Sequence, residues 1–244
     1  MSRPSSAIQA CSRREHLWFA ILGAFMFCLS YIFVYYAEEH VVSGLVAVGY
    51  SASPLLGMLG MRLFFGTPMT RRIAVGSALG IVGISLVFLP EFGRMQGGGS
   101  PVLGAVFTAL AVVVSSLGSM VAHRNQAAKL PLWQSLAWGM LYGALFSLIV
   151  ALAMGKPLAF EATPAYMLSL AYLAVLGSIV AFAAYLTLLG RIGAARAGYI
   201  GVMVPIVALV ISAAFESFRW HALTVAGIAV SVLGNVVILR EKRG

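Results

Sequence analysis

The chain reads as a series of long apolar runs, with its charges gathered at the ends of the runs and in the breaks between them. Crossing the hydrocarbon of a bilayer as a helix takes about 20 consecutive apolar residues. Eight stretches reach that length, at about 17–36, 41–65, 73–90, 101–122, 131–154, 165–189, 194–215 and 221–240. The breaks carry turn chemistry, as in "GTPMTRR", "GRMQGGGSP" and "GKPLAFEATP". The pattern predicts an all-α, polytopic integral membrane protein with eight transmembrane helices. Composition agrees: 61% of the residues are hydrophobic and 9% charged, against about 25% charged in a soluble domain. That much apolar surface cannot be hidden in one globular core, so the solvent must be lipid.

Charge then assigns sides. Thirteen of the sixteen Lys and Arg fall in or at the edges of the N-tail, the second, fourth and sixth breaks and the C-tail, with Arg62 inside the second run near its inner end; Arg94, Lys156 and Arg219 fall in the others. A bias of that size places both termini in the cytoplasm of a bacterial-type inner membrane. The tails are residues 1–16 and 241–244, and the apolar run after the basic N-tail is too long for a cleaved signal peptide. The net charge of +9 marks topology rather than a nucleic-acid surface, and no nucleic-acid partner is expected. No Asp occurs in the chain and Glu only seven times, so paired-Asp metal sites and aspartyl dyads are excluded. The two thiols, Cys11 and Cys28, suggest neither a disulfide nor a metal site. No cofactor is expected. A nucleotide-binding G-x-x-x-x-G-K-[ST], an H-E-x-x-H and a nucleophile elbow are all missing, which disfavours a primary pump and an intramembrane enzyme.

An internal repeat underlies the runs. "YSASPLLGMLG…RRIAVGSALGIVGISLVFL" aligns with "GVMVPIVALVI…LTVAGIAVSVLGNVVIL" at a constant offset of 151, which pairs Pro54 with Pro205, Gly76 with Gly227 and Gly83 with Gly234. Upstream, after a three-residue slip, Gly23, Tyr31 and Gly44 match Gly177, Tyr185 and Gly198. Matched spans lie five apart, an odd number, so they cross the membrane in opposite directions. Inverted repeats of this kind are built into many secondary transporters, whose sites sit near the midplane between the repeats. Each proline lacks an N–H and frees a carbonyl one turn back, at Tyr50 and Gly201. In lipid such a defect is tolerated where it faces protein or a water-filled cavity.

These residues, above all "LGSIVAFAAYLTLLGRIGAARAGYIGVMVPIVALVISAAFESF", give the chain a resemblance to the drug/metabolite transporter superfamily and its EamA-type members. The resemblance implies two five-helix repeats, whereas this sequence offers eight spans. It divides into a truncated first repeat at 17–92 and a second at 101–240. The missing pair would precede residue 17, so either the true start lies upstream or this is a shortened member. The glutamate that the family carries after the proline helix is matched by Glu216, a candidate gating or coupling group; Phe65 stands at the first-repeat position.

The spans hold no Lys, Asp or Glu at mid-depth, where a charge would cost about 2.5–3.5 kcal/mol on insertion scales. Neutral polar groups, rings and freed backbone must therefore line any cavity. The candidate substrate-binding residues are Tyr31, Tyr50, Ser53, Pro54, Ser116, Ser119, Tyr185, Tyr199, Met203 and Pro205. Against this stands the alternative that the serines only tighten helix contacts. Asn235 should satisfy its amide on a neighbouring helix. The expected function is a secondary carrier, an exporter of small metabolites, amino-acid-like solutes or amphipathic drugs by alternating access. Its partners would be membrane lipid, the small-molecule substrate and a second copy in a homodimer. The rival readings are a non-transporting membrane partner or inactive paralogue, and then a pore.

Overall fold

Ser12 opens the first helix with a capping box: its Oγ accepts the Glu15 amide at 3.3 Å, and the Glu15 carboxylate takes the Ser12 amide at 2.6 Å. Ser100-Pro101 and Thr163-Pro164 start two later helices the same way, each hydroxyl capping a helix whose first residue is proline. The computed structural model describes residues 12–53, 56, 59–60, 62–63, 71–92, 100–157, 159–188, 200–215 and 221–239.

Among the described residues the structure is helical throughout, without strands. The helices are α1 (Arg13–Glu38), α2 (Ser43–Ala52, its last three residues a tighter 3-10 turn), α3 (Arg71–Phe92), α4 (Pro101–Ala127), α5 (Leu132–Ala153), α6 (Pro164–Leu188), α7 (Ile200–Phe215) and α8 (Ala222–Leu239). Of these α1, α4, α5 and α6 are long and apolar enough to cross a membrane, which is the all-helical membrane architecture expected. After α5 the chain turns through Gly155 at φ 63°, a backbone conformation that glycine adopts without steric cost.

Contacts between helices fix their directions. Along α1, Trp18, Met26 and Phe33 meet Arg124, Gly118 and Phe107 of α4 in turn, so α1 and α4 are antiparallel. The Arg124 guanidinium lies 4.2 Å above the Trp18 ring, a cation–π pair that fixes one end of that crossing. His16 meets the Tyr142 hydroxyl at 2.9 Å and Tyr36 reaches Met154, so α1 and α5 run parallel. Two apolar cores result. One joins Leu22, Met26, Val121, Leu136 and Leu186, and the other joins Ala37, Leu45, Val48, Val87 and Leu209.

The pair α3 and α8 approaches most closely through glycine. Gly83 faces the Gly227 carbonyl, while Gly234 faces the Gly76 carbonyl, which makes the pair antiparallel. Small residues let backbones approach where lipid supplies no hydrophobic drive between helices.

Both α1 and α6 contain π-helical turns, at Gly23–Leu29 and Leu173–Val180. Nothing in the residue types announced them. Each contains the glycine that the sequence repeat matches, Gly23 or Gly177, and π segments gather at functional sites. The surroundings of the two differ. A Cβ on Gly23 would lie 2.5 Å from the Gly139 oxygen and 2.8 Å from the Gly143 nitrogen. A Cβ on Gly177 would meet nothing nearer than 3.7 Å, and residues 161–177 are all exposed. Gly23→Ala is therefore expected to destabilise the protein by about 1–3 kcal/mol through overpacking. Gly177→Ala should be neutral or stabilising by up to about 1 kcal/mol. Thermal midpoints of the two purified variants in one detergent check the contrast.

Candidate functional site

The polar centre is built on α4. Ser115 and Ser119 stand four residues apart, which puts them on one face of the helix one turn from each other. Tyr50 arrives from α2, where the 3-10 turn begins; it hydrogen-bonds at 2.9 Å with Ser30 Oγ of α1, and its phenol comes close to the Ser115 hydroxyl. Tyr185 arrives from α6, and its phenol comes close to the Ser119 hydroxyl. Two phenols from two helices thus converge on one serine face, anchored from a third helix by Ser30.

Two further hydroxyls stand beside these in sequence without a protein partner. Ser116 is 4% exposed and its Oγ is buried and unbonded, as is the Oγ of Ser53. A buried hydroxyl without a hydrogen bond is unfavourable, and a polar solute group or water can relieve it.

Asn235 of α8 is 3% exposed and donates at 3.2 Å to the backbone carbonyls of both Ser51 and Ser231. The amide bridges α8 to the turn that holds Tyr50, as expected of an apolar-embedded asparagine. Ser178 gives its hydroxyl to the Leu173 carbonyl five residues back, within the π turn of α6.

The remaining sequence candidates divide plainly. Tyr31 is half-buried on α1, its ring 6.3 Å from that of Tyr35. Met203 and Pro205 lie within α7, whose backbone is helical from Ile200 to Phe215. Pro54, Tyr199 and Glu216 lie outside the described residues.

Two groups escaped the sequence reading. Tyr35, 58% exposed, and Glu38 continue the stripe that Tyr31 begins, at spacings of four and then three residues. The signal was present as a helical period, but a carboxylate at a span end reads as a solvated rim. In the structure Glu38 lines a cavity of about 390 Å³ with His40, Val41, Val42 and Ser43. A second cavity of about 430 Å³, between Trp133 of α5 and Ile179 to Leu188 of α6, has only Thr187 as a polar side chain besides the Trp133 indole.

Known proteins align along most of the chain. The EamA-like transporter family matches residues 3–89 and 102–240. The chain is 28% identical over 224 residues to the uncharacterized inner membrane transporter YedA of Escherichia coli K12, covering 86% of this chain and 68% of YedA. YedA of Escherichia coli O157:H7 matches to the same extent. A solved crystal structure shares the fold with a TM-score of 0.63 at 19% identity, over 91% of this chain and 75% of its own. With a family match spanning nearly its whole length, this multi-pass helical chain belongs to the EamA-like transporter family.

Proposed function

We propose that the protein is a secondary carrier that exports small amino-acid-like or amphipathic solutes, with the tyrosine–serine centre as its solute site. The observation that carries this reading is the convergence of Tyr50 and Tyr185 on Ser115 and Ser119 of α4. Neutral hydroxyls and ring faces suit uncharged, zwitterionic or amphipathic solutes, and polar groups few in number but fixed in place are what orient a bound solute.

The eight-span inverted repeat, with halves at 17–92 and 101–240 and both termini cytoplasmic, is part of this proposal. It draws support from the glycine crossing. Exchanging residues by the offset of 151 turns the Gly83–Gly227 contact into Gly234–Gly76, which is the other contact of the pair. A pseudo-twofold axis through α3 and α8 accounts for both at once. Alternating access would then be a rocking of the repeats about the proline-bearing helices.

A second reading, a membrane partner that docks through α6, is favoured by one observation: residues 164–177 are exposed on every face of that helix. A homodimer is one form it could take.

Counterflow of radiolabelled neutral amino acids in proteoliposomes tests the first reading. Tyr50→Phe keeps the ring and removes the hydroxyl. It should raise KM about threefold to tenfold, as loss of one hydrogen bond worth about 1 kcal/mol predicts. Pro205→Ala should slow exchange. Unchanged exchange in both variants would overturn the midplane site.

A further inference from the structure

We propose that Ser212 of α7 latches onto the start of α2 and shuts the tyrosine–serine centre off from the cavity at the end of α1, so that the structure is the outward-closed state of the carrier. The proposal rests on the transport reading above and gives that site its gate.

The latch begins with a helix that cannot cap itself. α2 starts at Ser43, and its N-cap, Val42, makes no side-chain capping bond. The first amides of a helix have no acceptor within it. The Gly44 amide finds one 168 residues away, donating to Ser212 Oγ at 2.9 Å. The Ser43 and Ser212 hydroxyls meet as well, at 3.3 Å. Ser212 is fully buried. The fit is close, since a Cβ on Gly44 would lie 2.7 Å from Ser212 Oγ and 2.9 Å from Leu209 Cδ2. Leu45, Val48, Val87 and Leu209 are buried in one apolar cluster on the same helices and α3. The result is one polar contact set in an apolar plug.

Position makes this plug a gate. Ser43 lines the 390 Å³ cavity and also takes part in the latch. Tyr50 of the centre lies on the same helix, six residues past Gly44, about 9 Å along its axis. Cavity, latch and centre therefore follow one another along α2. The latch also joins the two matched elements, because α2 leads to Pro54 and α7 carries Pro205. Withdrawal of α7 would hand the Gly44 amide to water from the cavity. Exchanging one hydrogen bond for another leaves a modest bias toward closure, which suits a gate that opens in every cycle.

The test reads sided access. Ala47 lies three residues past Gly44, one turn deeper on the same face of α2. Ala47→Cys is made together with Cys11→Ser and Cys28→Ala, which remove the native thiols. Sealed vesicles then meet a membrane-impermeant maleimide on the side opposite the N-tail, the outer side in the topology proposed above. Labelling should be slow, and Ser212→Ala should speed it about threefold to tenfold, as loss of one hydrogen bond biases a two-state equilibrium. Ser85→Ala, which removes a hydroxyl bonded to the Ile81 carbonyl of its own helix, should change nothing. Thermal midpoints verify folding. A second variant joins Ser43→Cys to Ser212→Cys; its oxidation should block counterflow, and dithiothreitol should restore it. Fast labelling with Ser212 intact, no acceleration in Ser212→Ala, or full counterflow through the oxidised pair overturns the proposal. Labelling needs no transport, so the two readings separate. Accelerated labelling without counterflow of any solute would sustain the latch and sink the carrier reading. Counterflow with labelling indifferent to Ser212→Ala would do the reverse.

Discussion

Alanine at Gly83 is expected to lower the thermal midpoint of the protein, while alanine at Gly80, three residues earlier on the same helix, leaves it unchanged or raises it. The difference lies in what a new methyl group meets. At Gly83 a Cβ would sit 2.5 Å from the Ser231 nitrogen, 2.6 Å from the Gly227 oxygen and 2.8 Å from the Ser231 Cα. All three are backbone atoms, so no side chain can swing aside and the helices must separate. Separation would also loosen the matching contact of Gly234 with Gly76, because both belong to one rigid pair. Overpacking of this kind costs about 1–3 kcal/mol, and leucine at the same position should exceed that and abolish folding. At Gly80 a Cβ would meet nothing within 4 Å, so only the helix preference for alanine remains, worth up to about 1 kcal/mol in favour. Thermal midpoints from fluorescence-detected size exclusion decide it. Equal midpoints for the two alanine variants would mean that α3 and α8 do not cross through these glycines.

Asn235→Asp should be more damaging than Asn235→Leu. The leucine variant strands the Ser51 carbonyl without its side-chain donor, at about 1–3 kcal/mol where no water replaces it, whereas the Ser231 carbonyl keeps its helical partner. The aspartate variant loses the donor too, and at neutral pH it also aims a charge at two carbonyl oxygens in an apolar surround. Burying that charge adds about 2.5–3.5 kcal/mol on insertion scales. The sign of its pH dependence follows. Burial raises the pKa of the carboxyl in the folded state, so the protonated form, which can donate, is the one the fold accepts. Stability of Asn235→Asp should therefore be greatest at low pH and be lost as pH rises through the folded-state pKa. A flat pH profile in the aspartate variant, or a wild-type midpoint in both, would mean that the amide does not bridge α8 to Ser51.

How much of this was legible in advance depended on the range of the interaction. Ser12 with Glu15, Ser100 with Pro101 and Thr163 with Pro164 declare helix starts within four residues, and the helices begin there. Family membership was readable because the proline helix and its flanking turns are local patterns too. Asn235 announced that it needed a partner but not which one. Ser51 lies 184 residues away, and only packing could deliver its carbonyl. Ser178 shows the reverse case. A serine beside a matched glycine reads as a lining group, but the π turn of its own helix captured the hydroxyl. Glu38 was not among the candidates, because sequence shows that a carboxylate ends a span, not what shares its face.

The sequence by itself determined the solvent, the helical class and the family. In lipid every backbone N–H and C=O must be satisfied within its own segment or by closing a barrel, so long apolar runs leave helices as the answer. It also marked the glycines at which helices could touch. Only the tertiary structure decided how each helix is rotated about its axis. That rotation set Tyr50 and Tyr185 against one serine face of α4, pressed Gly83 on Gly227, and left Gly177 open where Gly23 is packed. Rotation is settled by close packing between helices distant in sequence, and a one-dimensional pattern carries that only as a list of surfaces able to meet.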